Sequence, residues 1–255
     1  NLMFGYNLAD EERKHLITLW NTYSFFITYA SLDKFNPLIH TLDSVELKEL
    51  DRWILSKVYD FTLKAEKLYN NYEVFKLMKS AKLILDDISN WYVRRNRRRF
   101  WKSKNDNDKM AAYATLYNVL LTYIKVLSPV IPFLTDEMYS NLVCSFDDLA
   151  PHSIHLCDYP DINKLNIDKK LIQEIDIVKQ IVVYGRSARN KVNLKIRQPL
   201  QNVKVFLKSN KYDIVQNYKT QISDELNVKN VEVIKNLNEI VSFDIKLNFN
   251  SLGQK

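Results

Sequence analysis

Through residue 143 the apolar positions of this chain recur at intervals of three and four, the spacing that gathers them on one face of a helix. Leu16, Leu19, Trp20, Tyr23, Phe26, Ile27 and Ala30 mark a first helix over 10–31, with Asp10, Glu11 and Glu12 at the positive end of its dipole and Phe35-Asn36-Pro37 breaking it. That stripe assigns Trp20 to the core. Asp43 and Glu46 form a candidate capping box for a second helix, which Leu47, Leu50, Ile54, Val58, Phe61, Ala65 and Leu68 carry to about residue 69. Asn70-Asn71 reads as a turn, and one long helix over 73–101 follows. After a polar connection at 104–108, Met110, Tyr113, Leu116, Tyr117, Leu120, Leu121, Ile124 and Leu127 mark a fourth helix. Pro129 and Pro132 end it, and a short fifth helix over 135–143 is expected with Thr135 as its cap.

After Pro151 the pattern changes. Residues 153–160 read as an irregular linker, 168–190 as a helix, and the period then becomes two. Strands are predicted over 203–207, 228–234 and 240–249, with a helix over 213–226 between the first two. The expected architecture is mainly α: an antiparallel helix bundle over 1–150, a linker over 151–167 and a small α/β domain over 168–255.

Charge changes this picture at one place. The chain has 255 residues and a net charge of +7, and seven of the sixteen residues over 89–104, S-N-W-Y-V-R-R-N-R-R-R-F-W-K-S-K, are Arg or Lys. Guanidinium groups grip phosphate with two parallel hydrogen bonds, and the interleaved aromatic residues offer faces for unpaired bases. Nucleic acid is therefore the first partner to test. Extending the stripe of Leu77, Ala81, Ile84, Leu85, Ile88 and Tyr92 through this helix puts Arg95 and Arg99 on the inner face. Arg94, Arg97 and Trp101 fall opposite, with Arg98 on the flank. A buried guanidinium needs a carboxylate, and Asp136 and Glu137 are the expected partners of Arg95 and Arg99. Arg94, Arg97, Arg98, Trp101 and Lys102 are the expected nucleic-acid contacts. Asn21, an amide in an apolar helix, is a further candidate for reading a base edge. A second basic cluster holds Arg186, Arg189, Lys191 and Arg197. Arg186 and Arg189 share a helix face that reads either as a phosphate track or as a solvated surface.

Composition removes other classes. Three glycines, Gly5, Gly185 and Gly253, cannot build a glycine-rich phosphate loop or a dinucleotide fingerprint. Cys144 and Cys157 lie thirteen apart, and His15, His40, His152 and His155 have no metal-ligand spacing, so neither zinc nor a disulfide is expected. No uninterrupted apolar run reaches the roughly 18 residues of a membrane span, and no secretory signal opens the chain, which leads us to expect a cytoplasmic protein with no membrane partner. The opening N-L-M-F-G-Y reads as the interior of a longer polypeptide.

Four strings in order, L-W-N-T-Y-S-F-F (19–26), D-R-W-I-L-S-K (51–57), N-W-Y-V-R-R-N-R-R-R-F-W (90–101) and L-S-P-V-I-P-F-L-T-D-E-M-Y (127–139), closely resemble the anticodon-binding region of the isoleucyl-tRNA synthetases. G-R-S-A-R-N-K (185–191), R-Q-P-L (197–200) and E-L-N-V-K-N-V (225–231) extend the resemblance over nearly the whole chain. It implies that the bundle and small domain bind the anticodon stem-loop of an isoleucine-accepting tRNA. It also implies that a separate catalytic domain of the same polypeptide, acting as a monomer, uses ATP and Mg to attach isoleucine. Neither that domain nor its H-I-G-H signature is present, so no cofactor and no catalytic residue is expected here. The equivalent region of a valyl or leucyl enzyme, or a helical scaffold docking an acidic protein, are the alternative readings.

Overall fold

The computed structural model describes residues 5–101, 106–161, 166–207 and 211–236. They divide between two units, Asn1–Ile172 and Gln173–Lys255.

In the first unit, α1 (Tyr6–Leu32) is followed by a 3-10 turn at Leu42–Ser44 and by α2 (Glu49–Asn70). Then come α3 (Val74–Asp86), a π-helical turn at Asp87–Val93, α4 (Arg94–Trp101) and α5 (Asn107–Leu127). α6 (Pro132–Tyr139) runs into a second π turn at Ser140–Cys144. The contacts fix the directions. Tyr69 Oη, near the end of α2, donates to the Val126 carbonyl near the end of α5 at 2.7 Å, so these two helices run together. α1 and the α3–α4 rod run the other way: Lys82 pairs with Glu12 at one level, and Phe25 meets Phe100 edge-on at 5.3 Å further along. The result is an up-down-up-down bundle.

α5 is its centre, with Tyr113, Leu116, Leu120, Ile124 and Leu127 wholly enclosed. By length and mean hydropathy α5 alone among the described helices is able to cross a membrane, although the runs of apolar residues did not suggest a span. Its apolar side chains are used internally instead, since 72% of that window is buried in the bundle.

Three local expectations are corrected. α2 is not capped by Asp43 and Glu46. It starts at Glu49, and Asp51 reaches back to accept the Lys48 amide at 2.9 Å. The fifth helix starts at Pro132, whose fixed φ and missing N–H suit a first turn. Thr135 therefore sits inside it, donating its hydroxyl to the carbonyls of Ile131 and Pro132. The third correction is one of register. A π turn adds about one residue to a helical turn, so beyond Tyr92 the inner face continues through Asn96 and Phe100, with Arg99 beside them, instead of through Arg95. The stretch after Pro151, expected as a linker, packs on the first unit in part. Asp136 accepts from Ser153 Oγ and the Ile154 amide, Ile154 is buried, and Tyr159 Oη donates to the Thr62 carbonyl.

The second unit contains most of α7 (Lys169–Lys191), then β1 (Leu200–Phe206), α8 (Tyr212–Asn217), α9 (Lys219–Leu226) and β2 (Val228–Ile234). The two strands are parallel, Leu200 facing Val228 and Phe206 facing Ile234, with the helices as the crossover that parallel pairing requires. The single helix expected over 213–226 breaks at Tyr218. The strand expected over 240–249 lies outside the described residues. Gly185 of α7 lets α9 approach closely, since a Cβ there would fall 2.6 Å from both methyl carbons of Leu226.

Candidate nucleic-acid interface

Asp51 is the point from which α4 is set. Fully buried, its carboxylate receives four hydrogen bonds: Tyr92 Oη at 2.6 Å, Arg99 Nη1 at 2.7 Å, Arg99 Nη2 at 2.9 Å and the Lys48 amide. Arg99, 8% exposed, also donates to the Asn96 side chain and the Asp108 carbonyl, and its Nε lies 2.9 Å from the Asp108 carboxylate. α2, α4 and the start of α5 meet on this one guanidinium. Burial would lower the pKa of Arg99, but the hydrogen bonds and charge of Asp51 outweigh it and the net shift is upward. Burial first, and the Asp51 charge second, push Tyr92 well above its usual value.

The partners expected for the inner arginines are therefore different. Arg99 pairs with Asp51 and Asp108, because the bundle brings the beginnings of α2 and α5 beside the end of α4. Asp136 is occupied by Ser153 and Ile154, whose hydrogen bonds hold its pKa down. Glu137 is exposed and accepts from Asn141. Arg95 is half-buried, with its Cζ 5.1 Å from the Trp91 ring centroid.

With Arg99 anchored, Arg94, Arg97 and Arg98 face solvent. Arg94 Nε donates to the Asn90 carbonyl one turn back, and Arg97 lies over the ring of Trp101 with Cζ 5.9 Å from the centroid. Trp101 is 54% exposed. Asn21 is exposed as well, on the same helix face as Phe25 and Tyr29, the residues through which α1 touches Phe100 and Trp101. It thus lies on the side of α1 next to α4. Trp20, expected in the core, is 39% exposed and leans on Tyr23. Lys102 lies outside the described residues.

The second cluster separates. Arg189 is 5% exposed and donates to four carbonyls, those of Lys195, Gln198, Leu226 and Asn227. It satisfies the carbonyl end of α9 and the turn before β1, and is corrected from a phosphate contact to a structural cap, since both of its terminal nitrogens are already engaged and the residue is buried. Arg186 pairs with the buried Glu225 at 2.5 Å while remaining part-exposed. Lys191 and Arg197 are exposed. Of the polar residues that organise the two units, Arg189 was expected as a phosphate contact, whereas Asp51 and Asp108 were not singled out at all.

A family model described as the anticodon-binding domain of tRNA ligase matches residues 51–205. Isoleucine–tRNA ligase of Clostridium novyi (strain NT) is 42% identical over 248 residues, covering 97% of this chain and 23% of that relative. That of Dehalococcoides mccartyi (strain ATCC BAA-2266 / KCTC 15142 / 195) is 45% identical over 227 residues, 89% of this chain and 22% of the relative. Isoleucine–tRNA ligase 2 of Bacillus cereus (strain ATCC 14579) is 39% identical over 249 residues, 97% of this chain and 23% of the relative. The chain thus spans less than a quarter of the length of these relatives. With α3 through α7 and nearly all of α2 and β1 inside the matched range, the chain belongs to the anticodon-binding domain family of tRNA ligases.

Proposed function

We propose that this chain binds the anticodon stem-loop of an isoleucine-accepting tRNA, as part of an isoleucine–tRNA ligase that attaches isoleucine with ATP and Mg bound elsewhere in the polypeptide. The observation that carries the reading is the solvent-facing ridge of Arg94, Arg97 and Arg98 ending at Trp101, held outward by the buried Arg99–Asp51 pair. Its work is contact, not bond-making. The guanidinium groups neutralise stem phosphates, and aromatic and amide groups, Trp101 and Asn21, meet unstacked loop bases. Lys102 is a further proposed phosphate contact by its place in the sequence, and in the second unit Lys191, Arg197 and, to the extent that its Glu225 partner leaves it available, Arg186 are proposed as phosphate contacts of their own. Such a protein works in the cytoplasm as a monomer, with the catalytic domain of the same polypeptide as its neighbour.

Filter binding of purified tRNA to the chain, with poly-glutamate as competitor, tests the reading. Retention of the isoleucine-accepting tRNA above other tRNAs, in the presence of poly-glutamate, is the expected result. Equal displacement by poly-glutamate would point to an acidic protein as the partner instead. Charging specificity of the longer polypeptide separates isoleucine from valine and leucine. The chain alone is expected to give no isoleucine-dependent ATP–pyrophosphate exchange, and measurable exchange would overturn that assignment of the chemistry.

A further inference from the structure

Besides Arg99, the polar residue that α4 turns inward is Asn96, which is 6% exposed and has no part in the function proposed above. Both ends of its carboxamide are engaged: Nδ2 donates to the Tyr92 carbonyl one turn back at 2.9 Å, and Oδ1 accepts from Arg99 Nη1 at 3.1 Å. These bonds close a circuit. Tyr92 Oη and Arg99 both donate to Asp51, so Asp51, Tyr92, Asn96 and Arg99 form a ring that begins on α2, passes through the π turn and returns from α4. The other acceptors of Arg99 are Asp51 on α2 and the carbonyl and carboxylate of Asp108 at the start of α5. Among the described residues, Asn96 alone of these acceptors belongs to α4, and it ties the anchored guanidinium back to its own helix.

The ring stands where the helix changes period. The Arg94 amide bonds to the Ser89 carbonyl, five residues back, and α-helical spacing resumes from there. Without the extra residue the rod would be turned by about 100°, Arg95 would take the inner position and Asn96 the flank. A carboxamide is buried at low cost only with both ends hydrogen-bonded, and the ring supplies both partners in the shifted register. We propose that Asn96 is the positioning residue of the basic ridge: through Tyr92 and Arg99 it holds α4 in the register that turns Arg94, Arg97 and Arg98 toward the RNA. The inference rests on the function proposed above and adds to it a neutral, buried residue that touches no RNA. Leucine or alanine would fill the position without an acceptor for Arg99, and aspartate would set an acceptor against the Tyr92 carbonyl.

The test compares salt dependence. The wild-type chain, Asn96→Ala and Asn96→Ser, each with and without Arg97→Ala, are titrated with purified isoleucine-accepting tRNA from low to moderate salt. Each affinity is corrected for the folded fraction read by circular dichroism, so a purely stabilising role leaves no trace. Asn96 carries no charge, and its loss changes the slope of log affinity against log salt only by moving charged neighbours. Asn96→Ala is expected to lower that slope by about 0.7 to 0.9, the equivalent of one phosphate contact, or by more. The loss caused by Arg97→Ala should shrink by about twofold or more in the Asn96→Ala background, because the two changes remove one contact. A serine hydroxyl reaches the carbonyl four residues back, as the Thr62 hydroxyl reaches Val58, but not Arg99. Asn96→Ser should therefore lower the slope by less than Asn96→Ala. An unchanged slope in Asn96→Ala, or the same Arg97→Ala loss in both backgrounds, would overturn the proposal while leaving tRNA binding standing. If Asn96→Ala is too unstable to titrate, Asn96→Ser decides, and an unchanged slope there overturns it equally. Failure of the wild-type chain to bind the tRNA would overturn both this inference and the function it rests on.

Discussion

Arg97 and Arg99 are two residues apart on one helix, and opposite surroundings give them opposite work. Arg99 is enclosed with Asp51: removing Arg99 leaves the buried carboxylate without a cation, and removing Asp51 leaves the guanidinium with Asp108 alone. Arg99→Ala or Asp51→Ala is therefore expected to destabilise the first unit by about 3–5 kcal/mol, read from the denaturant midpoint of unfolding. Loss of tRNA binding should follow the unfolded fraction. Arg94 and Arg97 have water on their outer side, so Arg94→Ala and Arg97→Ala should leave the melting temperature nearly unchanged. Each should instead lower the slope of log affinity against log salt by about 0.7 to 0.9, the counterions released by one phosphate contact. Binding titrations from low to moderate salt check this. Unchanged affinity in both variants would return the ridge to an ordinary solvated helix face.

The π turn at Asp87–Val93 is what lets one rod serve both the core and the ridge. A continuous α-helix in the register of Leu77, Ala81, Ile84 and Ile88 would carry Arg95 inward, whereas the extra residue brings Asn96 and Phe100 inward and leaves Arg95 against Trp91. In the second unit the comparable device is Gly185, where α7 and α9 touch with no room for a side chain. Gly185→Ala should force the buried Leu226 to move, at a cost of about 1–3 kcal/mol for overpacking. In a Leu226→Ala background the same Gly185→Ala change should cost less, because the side chain it would displace is gone. A Gly185→Ala protein as stable as wild type in thermal unfolding would show that α9 yields freely.

Tyrosine gives the folded chain a characteristic alkaline limit. Tyr69 and Tyr117 are pushed up to about 12 by burial, and Tyr113, Tyr123, Tyr139 and Tyr159 are raised as well. An unfolded chain loses these protons near pH 10. Above that pH the native state binds more protons than the unfolded state, so stability falls as pH rises. The contribution of Tyr69 and Tyr117 is fully present below about pH 10 and should be lost between about 10 and 12, and that of the other four persists to higher pH. Circular dichroism and tyrosinate absorbance followed together should show unfolding and ionisation in one cooperative step. Gradual ionisation of all tyrosines near pH 10 with the helices intact would contradict the enclosed positions.

Periodicity and local chemistry were enough to place the helices of the bundle, the change to strands near residue 200 and the outward side of Arg94, Arg97 and Arg98. Those features depend on which residues are apolar and on spacing along one segment, and both are written in the chain order. The ion pairs were not accessible in that way. Asp51 and Asp108 reach Arg99 only because an up-down-up-down bundle brings the beginnings of α2 and α5 to the end of α4, whereas Asp136 and Glu137 looked equally suitable as carboxylates at a helix start. Arg189 reads as one more surface cation until the turn at 195–198 and the end of α9 close over it with four carbonyls. The π turn is equally a product of packing, since nothing in D-I-S-N-W-Y-V marks an extra residue in the turn. Pairing over long sequence distances is set by how the helices stack. A charged residue carries no record of which partner that stacking will deliver.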